Sequence, residues 1–279
     1  MSANYLKFLI SSIILNYMKQ KKKQILLLIS LILILFIINY SFIDKALKEF
    51  LLDSETAVVE RVIDGDTIVI DNKTSVRLLG INSPERGEPY YNEAKEFLEM
   101  IVLNKTVELK FGKDKYDMYH RILAYVFLRG ENVNLELVDE GLANFYFPSG
   151  RDVYYDKFVR VWEKCIKMNE NLCERSTDEC AECIELKKFD YKNQIVVFYN
   201  KCDFNCELSG WKIKDEGRKN FIFPQFVLEK NKQVEIKAEE GTNTKSTLFW
   251  TGEEYVWTSS GDTLLLRDDD GKLVLWESY

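Results

Sequence analysis

At 279 residues the chain is too long for one small barrel, and its 46% hydrophobic and 30% charged content is that of a folded protein, with two domains the natural expectation. A formal charge of −7 excludes a protein that grips nucleic acid through bulk positive field, so any such binding has to come from a local patch. No internal repeat or low-complexity tract appears.

The N-terminus reads as membrane-directed. Residues 1–24 form a basic segment in which Tyr5–Met18 sets Leu6, Leu9, Ile10, Ile13 and Ile14 at helical spacing, an interfacial pattern too short and polar to span. Met18 stands just before Lys19, Lys21, Lys22 and Lys23 and is an alternative start. Ile25–Ile43 is apolar except for Ser30, Asn39 and Ser41, and at helical rise it matches a hydrocarbon core of about 30 Å. A buried core helix is disfavoured by the unbroken Leu/Ile run, and a cleaved signal by the absence of a small-x-small site. The lysines on one side, against Lys45 and Lys48 mixed with Asp44 and Glu49 on the other, predict a single-pass anchor with its N-terminus in the cytoplasm and the rest outside.

Residues 44–56 read as a charged stalk. After it, Ala57–Ile63 and Thr67–Asp71 are β-rich runs around the turn Asp64-Gly65-Asp66, which places Asp66 near a hairpin tip. Thr74–Ile81 alternates Val76, Leu78 and Gly80 with Arg77, Leu79 and Ile81, the period of one strand. Pro84 stops that strand, leaving Glu85 on a loop just past its end. Tyr91–Leu103 places Ala94, Phe97, Leu98, Ile101 and Val102 on one helical face, Thr106–Phe111 and Ile122–Leu128 read as strands, and Val133–Gly141 and Asp152–Met168 as helices.

The turn Asp64-Gly65-Asp66-Thr67, the run Arg77-Leu78-Leu79 followed by Pro84-Glu85, and the later Asp117-Met118-Tyr119-His120-Arg121 together resemble the thermonuclease, or staphylococcal nuclease, family from about Ala57 to about Leu172. The resemblance implies an OB-type five-stranded β-barrel with three helices over residues 57–168, and calcium-dependent cleavage of DNA and RNA. It puts Glu85 at the general-base position, Arg77 and Arg121 at the two arginine positions, and Asp66 at a calcium-ligand position. The second calcium carboxylate falls on Asn82, and Ser83 stands where a threonine lends its carbonyl; loss of one charge is expected to weaken calcium binding. Tyr119 falls at a phosphate-contacting position, and Lys113, Lys115 and Tyr116 add basic and aromatic surface suited to single strands. Zinc is disfavoured there because the lone histidine, His120, reads as a turn residue and the barrel was expected to lack cysteine. No small-molecule cofactor is implied.

Residues 169–182 are a polar, cysteine-bearing linker, and 183–279 hold many short strands: Ile184–Phe189, Gln194–Tyr199, Leu208–Lys214, Asn220–Phe223, Gln233–Lys237, Thr263–Arg267 and Leu273–Trp276. That pattern is a β-sandwich, and Glu207–Trp211, Phe223-Pro224 and Ser260–Thr263 resemble the immunoglobulin-like lamin-tail domain. Nothing in it points to catalysis or names a partner, and Trp211, Trp250, Trp257 and Trp276 read as packing. The six cysteines, Cys165 to Cys206, allow two readings. The pairs Cys180/Cys183 and Cys202/Cys206 come near a zinc-ribbon spacing, while an extracellular location favours disulfides tying linker to sandwich. The fold expected is mainly β with helices: transmembrane helix, barrel, sandwich. Two other functions stay open, a catalytically silent nucleic-acid-binding barrel and a surface protein acting through its sandwich.

Overall fold

The computed structural model describes residues 3–279, with side chains from Met18 onward apart from Lys19, Lys45, Phe50 and Asn72. The choice between Met1 and Met18 as start, and the apolar face of Tyr5–Tyr17, lie outside the described residues and side chains. Residues 1–51 and 52–279 are separate compact units. In the first, α1 (Ala3–Ile38) and α2 (Tyr40–Phe50) are both helical. The sequence led us to expect one uninterrupted span followed by an irregular stalk; instead Gln20–Ile38 and Tyr40–Glu49 meet at a bend of 64°. At the break, the Asn39 side-chain amide donates to the Leu35 carbonyl at 2.8 Å, where it competes with the backbone ladder. Among the described residues no single helix is long and apolar enough to cross a membrane, whereas the bent pair passes together on length and composition. Every residue from Ile25 to Ile38 is exposed.

The second unit starts with β1 (Ser54–Asp64), which takes up the rest of the expected stalk, then β2 (Thr67–Ile70), β3 (Thr74–Leu78) and β4 (Gly80–Asn82). The single strand expected over Thr74–Ile81 is broken at Leu79. Gly80 has φ +74°, and a Cβ there would lie 3.0 Å from the Phe158 ring, so only glycine turns the chain this tightly against that helix. Buried Asn134 closes the break: its amide donates to the Leu79 carbonyl at 2.7 Å and accepts from Val126 N–H at 2.9 Å.

After α3 (Tyr91–Val102) come β5 (Thr106–Tyr116), β6 (Ile122–Leu128), β7 (Glu131–Asn132), α4 (Val133–Asp139), β8 (Asn144–Tyr146) and α5 (Tyr155–Met168). The sheet runs β3-β2-β1-β5-β6-β7, and a parallel β3–β6 pairing closes its five main strands into a barrel. Alternation fails on β2 and β3, where Thr67–Ile70 and Val76–Leu78 are buried continuously. Closure and flanking elements cover both faces there, so the strand reads as an unbroken buried run. Ala94, Leu98 and Val102 of α3 and Phe158, Trp162 and Cys165 of α5 complete the core. Cys165 thus sits inside the barrel domain, contrary to the expectation that it holds none; the helical face that buries Phe158 and Trp162 carries Cys165 in with them.

The sandwich contains β9 (Ile184–Asp190), β10 (Ile195–Asn200), β11 (Cys206–Glu207), β12 (Lys212–Lys214), β13 (Asn220–Ile222), β14 (Val227–Leu228), β15 (Gln233–Lys237), β16 (Thr247–Phe249), β17 (Thr263–Arg267) and β18 (Leu273–Ser278). Two sheets, β16-β15-β10-β9 and β13-β12-β17-β18, enclose Phe198, Trp211, Ile213, Phe223, Trp257 and Leu264. Leu208–Trp211, expected in a strand, is a turn: Trp211 N–H donates to the Leu208 carbonyl at 3.0 Å, while Leu208 N–H donates to the Phe226 carbonyl and the Trp211 carbonyl accepts from Phe223 N–H.

Trp276, read as a packing residue, packs outside the sandwich interior. It packs against the barrel core, edge-on to Phe145 and Trp162 at ring-centroid distances of 6.3 and 6.5 Å, together with Leu265 and Leu273. Sandwich and barrel therefore share apolar contacts inside one compact unit. The cysteines form three disulfides, Cys165–Cys173, Cys180–Cys206 and Cys183–Cys202, with Cα separations of 5.3 to 5.7 Å, which replaces the zinc-ribbon reading. Cys180–Cys206 binds the linker end to the sandwich, Cys183–Cys202 lies within the sandwich, and Cys165–Cys173 ties α5 to the residues that follow it.

Candidate active site

The β1–β2 hairpin pairs Asp64 with Thr67, which leaves Gly65 and Asp66 as its two-residue tip. A Cβ on Gly65 would lie 2.7 Å from both Ala94 and Ser83, so the tip is pressed between α3 and the loop after β4. That contact delivers Asp66 to Ser83: its Oδ2 accepts from Ser83 N–H at 2.9 Å and from Ser83 Oγ–H at 3.0 Å. Opposite Thr67 in the ladder, Arg77 forms an ion pair with the same Oδ2 at 2.9 Å. Its other terminal nitrogen donates to Asn82 Oδ1 at 3.2 Å. Arg77 is 8% exposed, so its guanidinium is a buried bridge between Asp66 and Asn82 rather than an open clamp.

Burial first, and the neighbouring Asp66 charge second, hold Asp64 above the ordinary carboxylate range. Asn82, 5% exposed, donates its amide to the carbonyl of Gly217 at 2.8 Å, which fixes which end of the amide faces Arg77. Across the β4–β8 pair stands Asn144, whose buried Oδ1 has no hydrogen-bond partner among the described residues.

These atoms fit a hard cation in kind: the Asp66 carboxylate, the Asn82 amide oxygen and the Ser83 main chain lie on adjacent turns, and the Asn144 oxygen is unclaimed. In charge they fit weakly. Among the described residues, no three His, Cys, Asp or Glu side chains are grouped so that they could hold a metal ion.

Glu85 is 55% exposed at its side chain, and its carboxylate forms an ion pair with Arg218 Nε at 2.9 Å. Its backbone N–H donates to Glu88 Oε2 at 2.9 Å. Burial works against ionisation of Glu88, but the bond and charge of Lys214 prevail and hold it below its ordinary value. The loop carrying Glu85 is therefore tied twice to the sandwich, through Arg218 and Lys214.

Arg121 lies on β5–β6, two residues before Leu123, the partner of Arg77 in the β3–β6 pairing that closes the barrel. Asp117 accepts from its Nε at 2.7 Å and its backbone N–H at 2.9 Å, and Tyr119 lies under the guanidinium at 5.5 Å. Burial opposes ionisation of Asp117, but these Arg121 bonds prevail and keep it low. The two terminal guanidinium nitrogens of Arg121 have no protein partner among the described residues. His120, at φ +62°, is the exposed turn residue expected, and Tyr116 and Tyr119 are exposed. Lys115 is held by Glu55 at 2.7 Å and lies over Phe111, so it belongs to the barrel edge rather than to the Asp66 cluster.

Sequence reasoning missed Gly217 and Arg218 entirely. They sit in the β12–β13 turn of a domain that carries no catalytic motif, and no local signal in Asp215-Glu216-Gly217-Arg218 points to Glu85. Beside this turn, burial, with the Asp262 charge second, pushes Asp215 up to about 7 and Glu216 up to about 8. Glu216 nonetheless accepts Phe147 N–H across the domain boundary at 2.8 Å.

The family model described as Staphylococcal nuclease homologue matches residues 75–174, and the Lamin Tail Domain model matches residues 181–279. The chain is 33% identical over 160 residues to a thermonuclease of Staphylococcus intermedius, covering 53% of this chain and 95% of that protein. It is 34% identical over 131 residues to the thermonuclease of Staphylococcus hyicus, 43% of this chain and 76% of that one. With Endonuclease YncB of Bacillus subtilis it shares 38% identity over 111 residues, 36% of this chain and 53% of that one. The chain belongs to the staphylococcal nuclease family and carries a lamin-tail domain after its barrel.

Proposed function

We propose that this chain hydrolyses phosphodiester bonds of DNA and RNA, preferring single strands, with calcium bound by Asp66, Asn82 and the Ser83 carbonyl. The observation that carries it is the chain of links that ties the Asp66 turn through Arg77 to Asn82, three residues before the exposed Glu85, and pairs Arg77 with Leu123, two residues after Arg121 and its two uncommitted guanidinium nitrogens. Water attacks phosphorus in line, its proton passing to Glu85 as the new P–O bond forms and the bond to the leaving oxygen breaks. Arg121 stabilises charge on the phosphoryl oxygens through its free N–H groups, and Tyr119 lies beside it to contact the phosphate. Arg77 keeps Asp66 and Asn82 in register from beneath. Calcium, when bound, supplies positive charge close to the phosphate. Exposed Tyr116 and Tyr119 offer stacking faces for unpaired bases.

The exposed apolar surface of Ile25–Ile38 and the lysines preceding it support a membrane anchor with the barrel and sandwich outside. In that location an enzyme with broad specificity meets environmental nucleic acid rather than the cell's genome.

The test is digestion of single-stranded DNA with calcium, with chelator, and by Glu85→Gln. Wild type should digest with calcium, and Glu85→Gln should lose about 10²- to 10⁴-fold in turnover while remaining folded. Undiminished digestion in chelator sinks the calcium assignment; near-normal turnover of Glu85→Gln removes its role. Protease added to intact cells should cut after Asp44, and full protection refutes the orientation.

A further inference from the structure

The carboxylate that the barrel presents as its base is held by another domain. Among the described residues the only partner of the Glu85 carboxylate is Arg218, from the β12–β13 turn of the sandwich. That turn is rigid and seated. Asp215 and Lys219 close it, with Asp215 Oδ1 accepting from Lys219 N–H at 2.9 Å and the Asp215 N–H donating to the Lys219 carbonyl at 3.1 Å. Gly217 presents its carbonyl to Asn82 at 2.8 Å; a Cβ there would stand 3.3 Å from the Tyr146 ring and 3.1 Å from Asp215, so a side chain at this position would crowd the approach.

The seating has two consequences for the site. An asparagine, unlike an aspartate, has one end that donates and one that accepts. The Gly217 carbonyl takes the donor end, and so turns Asn82 Oδ1 toward Arg77. One residue further, Arg218 reaches Glu85 at the solvent edge. An ion pair this exposed contributes little to stability, so docking of the domains does not need it. The Glu85 carboxylate itself does need it, because general-base catalysis depends on placement to within about an ångström and the other ties hold the loop rather than the carboxylate.

We propose that Arg218 is a positioning residue for Glu85, and that the nuclease site is composite, completed by the lamin-tail domain. The inference rests on the nuclease reading above. Arg218 acts through Glu85 and leaves binding of nucleic acid to the barrel.

The experiment uses the full-length chain in mild detergent, with steady-state digestion of single-stranded DNA and thermal melting for wild type, Arg218→Gln, Arg218→Lys, Glu85→Gln and the double variant Glu85→Gln/Arg218→Gln. Arg218→Gln should lower kcat at least about tenfold with KM within about twofold and Tm unchanged. Arg218→Lys, which restores a cation, should recover much of that loss. In the Glu85→Gln background, Arg218→Gln should have no further effect, since the group it positions is already gone. Wild-type or raised kcat in Arg218→Gln overturns the proposal, as does an equal loss in both backgrounds, which would place Arg218 on the substrate. An inactive wild type removes the nuclease reading itself and this proposal with it, a result distinct from an active wild type indifferent to Arg218.

Discussion

Raising the pH should weaken the barrel–sandwich unit, and Glu216 is the group through which it does so. The carboxyl is 5% exposed, accepts Phe147 N–H and Thr263 Oγ–H, and lies close to Asp262 and Asp215. Its ordinary value of 4.5 rises to about 8, mainly through burial and next through the Asp262 charge. The folded protein therefore keeps a proton that the unfolded chain has already released between those two values. Stability contributed by that proton is complete below the ordinary value and declines as pH climbs to the folded one. Each pH step across the window costs about 1.4 kcal/mol, so the crossing amounts to about 5 kcal/mol. Asp215 and Asp262 feel the same repulsion, so their contributions overlap with this figure rather than add to it. For a unit of this size the loss corresponds to a fall in Tm on the order of 10–20 °C between about pH 5 and about pH 9. Glu216→Gln keeps an oxygen for Phe147 N–H and presents its NH₂ to the Thr263 hydroxyl, removing the charge at nearly constant shape. Thermal melts of residues 52–279 at constant ionic strength should show a steep alkaline decline in wild type and a much shallower one in Glu216→Gln. Parallel profiles, or a wild type that gains stability toward alkaline pH, would refute the reasoning.

Asn82→Asp adds the missing negative charge but replaces a donor to the Gly217 carbonyl with an acceptor. It should lower the calcium concentration needed for half-activity while costing about 1–3 kcal/mol in stability; a variant unchanged in both would exclude Asn82 from the metal site and from the domain contact. The three disulfides predict no thiol labelling of the native protein, no zinc released by chelator, and a clear fall in Tm on reduction, each bridge contributing about 2–4 kcal/mol. Free labelling before reduction, or stoichiometric zinc, would restore the ribbon reading.

Much of the site was legible in the sequence because its parts are local. A two-residue hairpin tip, a proline that ends a strand and an arginine in the preceding strand fix Asp66, Glu85 and Arg77 within one short stretch, whose turn chemistry is set by Gly65 and Pro84. Some strand bounds were also readable: Gln233–Lys237, which alternates against one buried face, and the largely buried apolar runs Thr263–Arg267 and Ile122–Leu128 keep their expected bounds. The strand around Leu79 was not, because its break depends on Phe158 and Asn134, which arrive from later helices.

Other features belong to tertiary structure alone. Alternation in β3 places Arg77 on one side of a strand, but only closure of the barrel and arrival of the sandwich bury that side, turning an expected phosphate clamp into a bridge between Asp66 and Asn82. Cysteine spacing permits several pairings, and the fold selects those whose Cα atoms come within disulfide reach. Trp276 looks like any sandwich tryptophan until α5 supplies Trp162 opposite it. The sequence by itself determined where Asp66, Arg77 and Glu85 fall along the barrel's turns and strands, since hairpin geometry acts over a few residues. Only the tertiary structure decided that Gly217 and Arg218 meet Asn82 and Glu85, because apolar contacts between barrel and sandwich bring together residues more than a hundred positions apart, a distance over which local pattern carries no information.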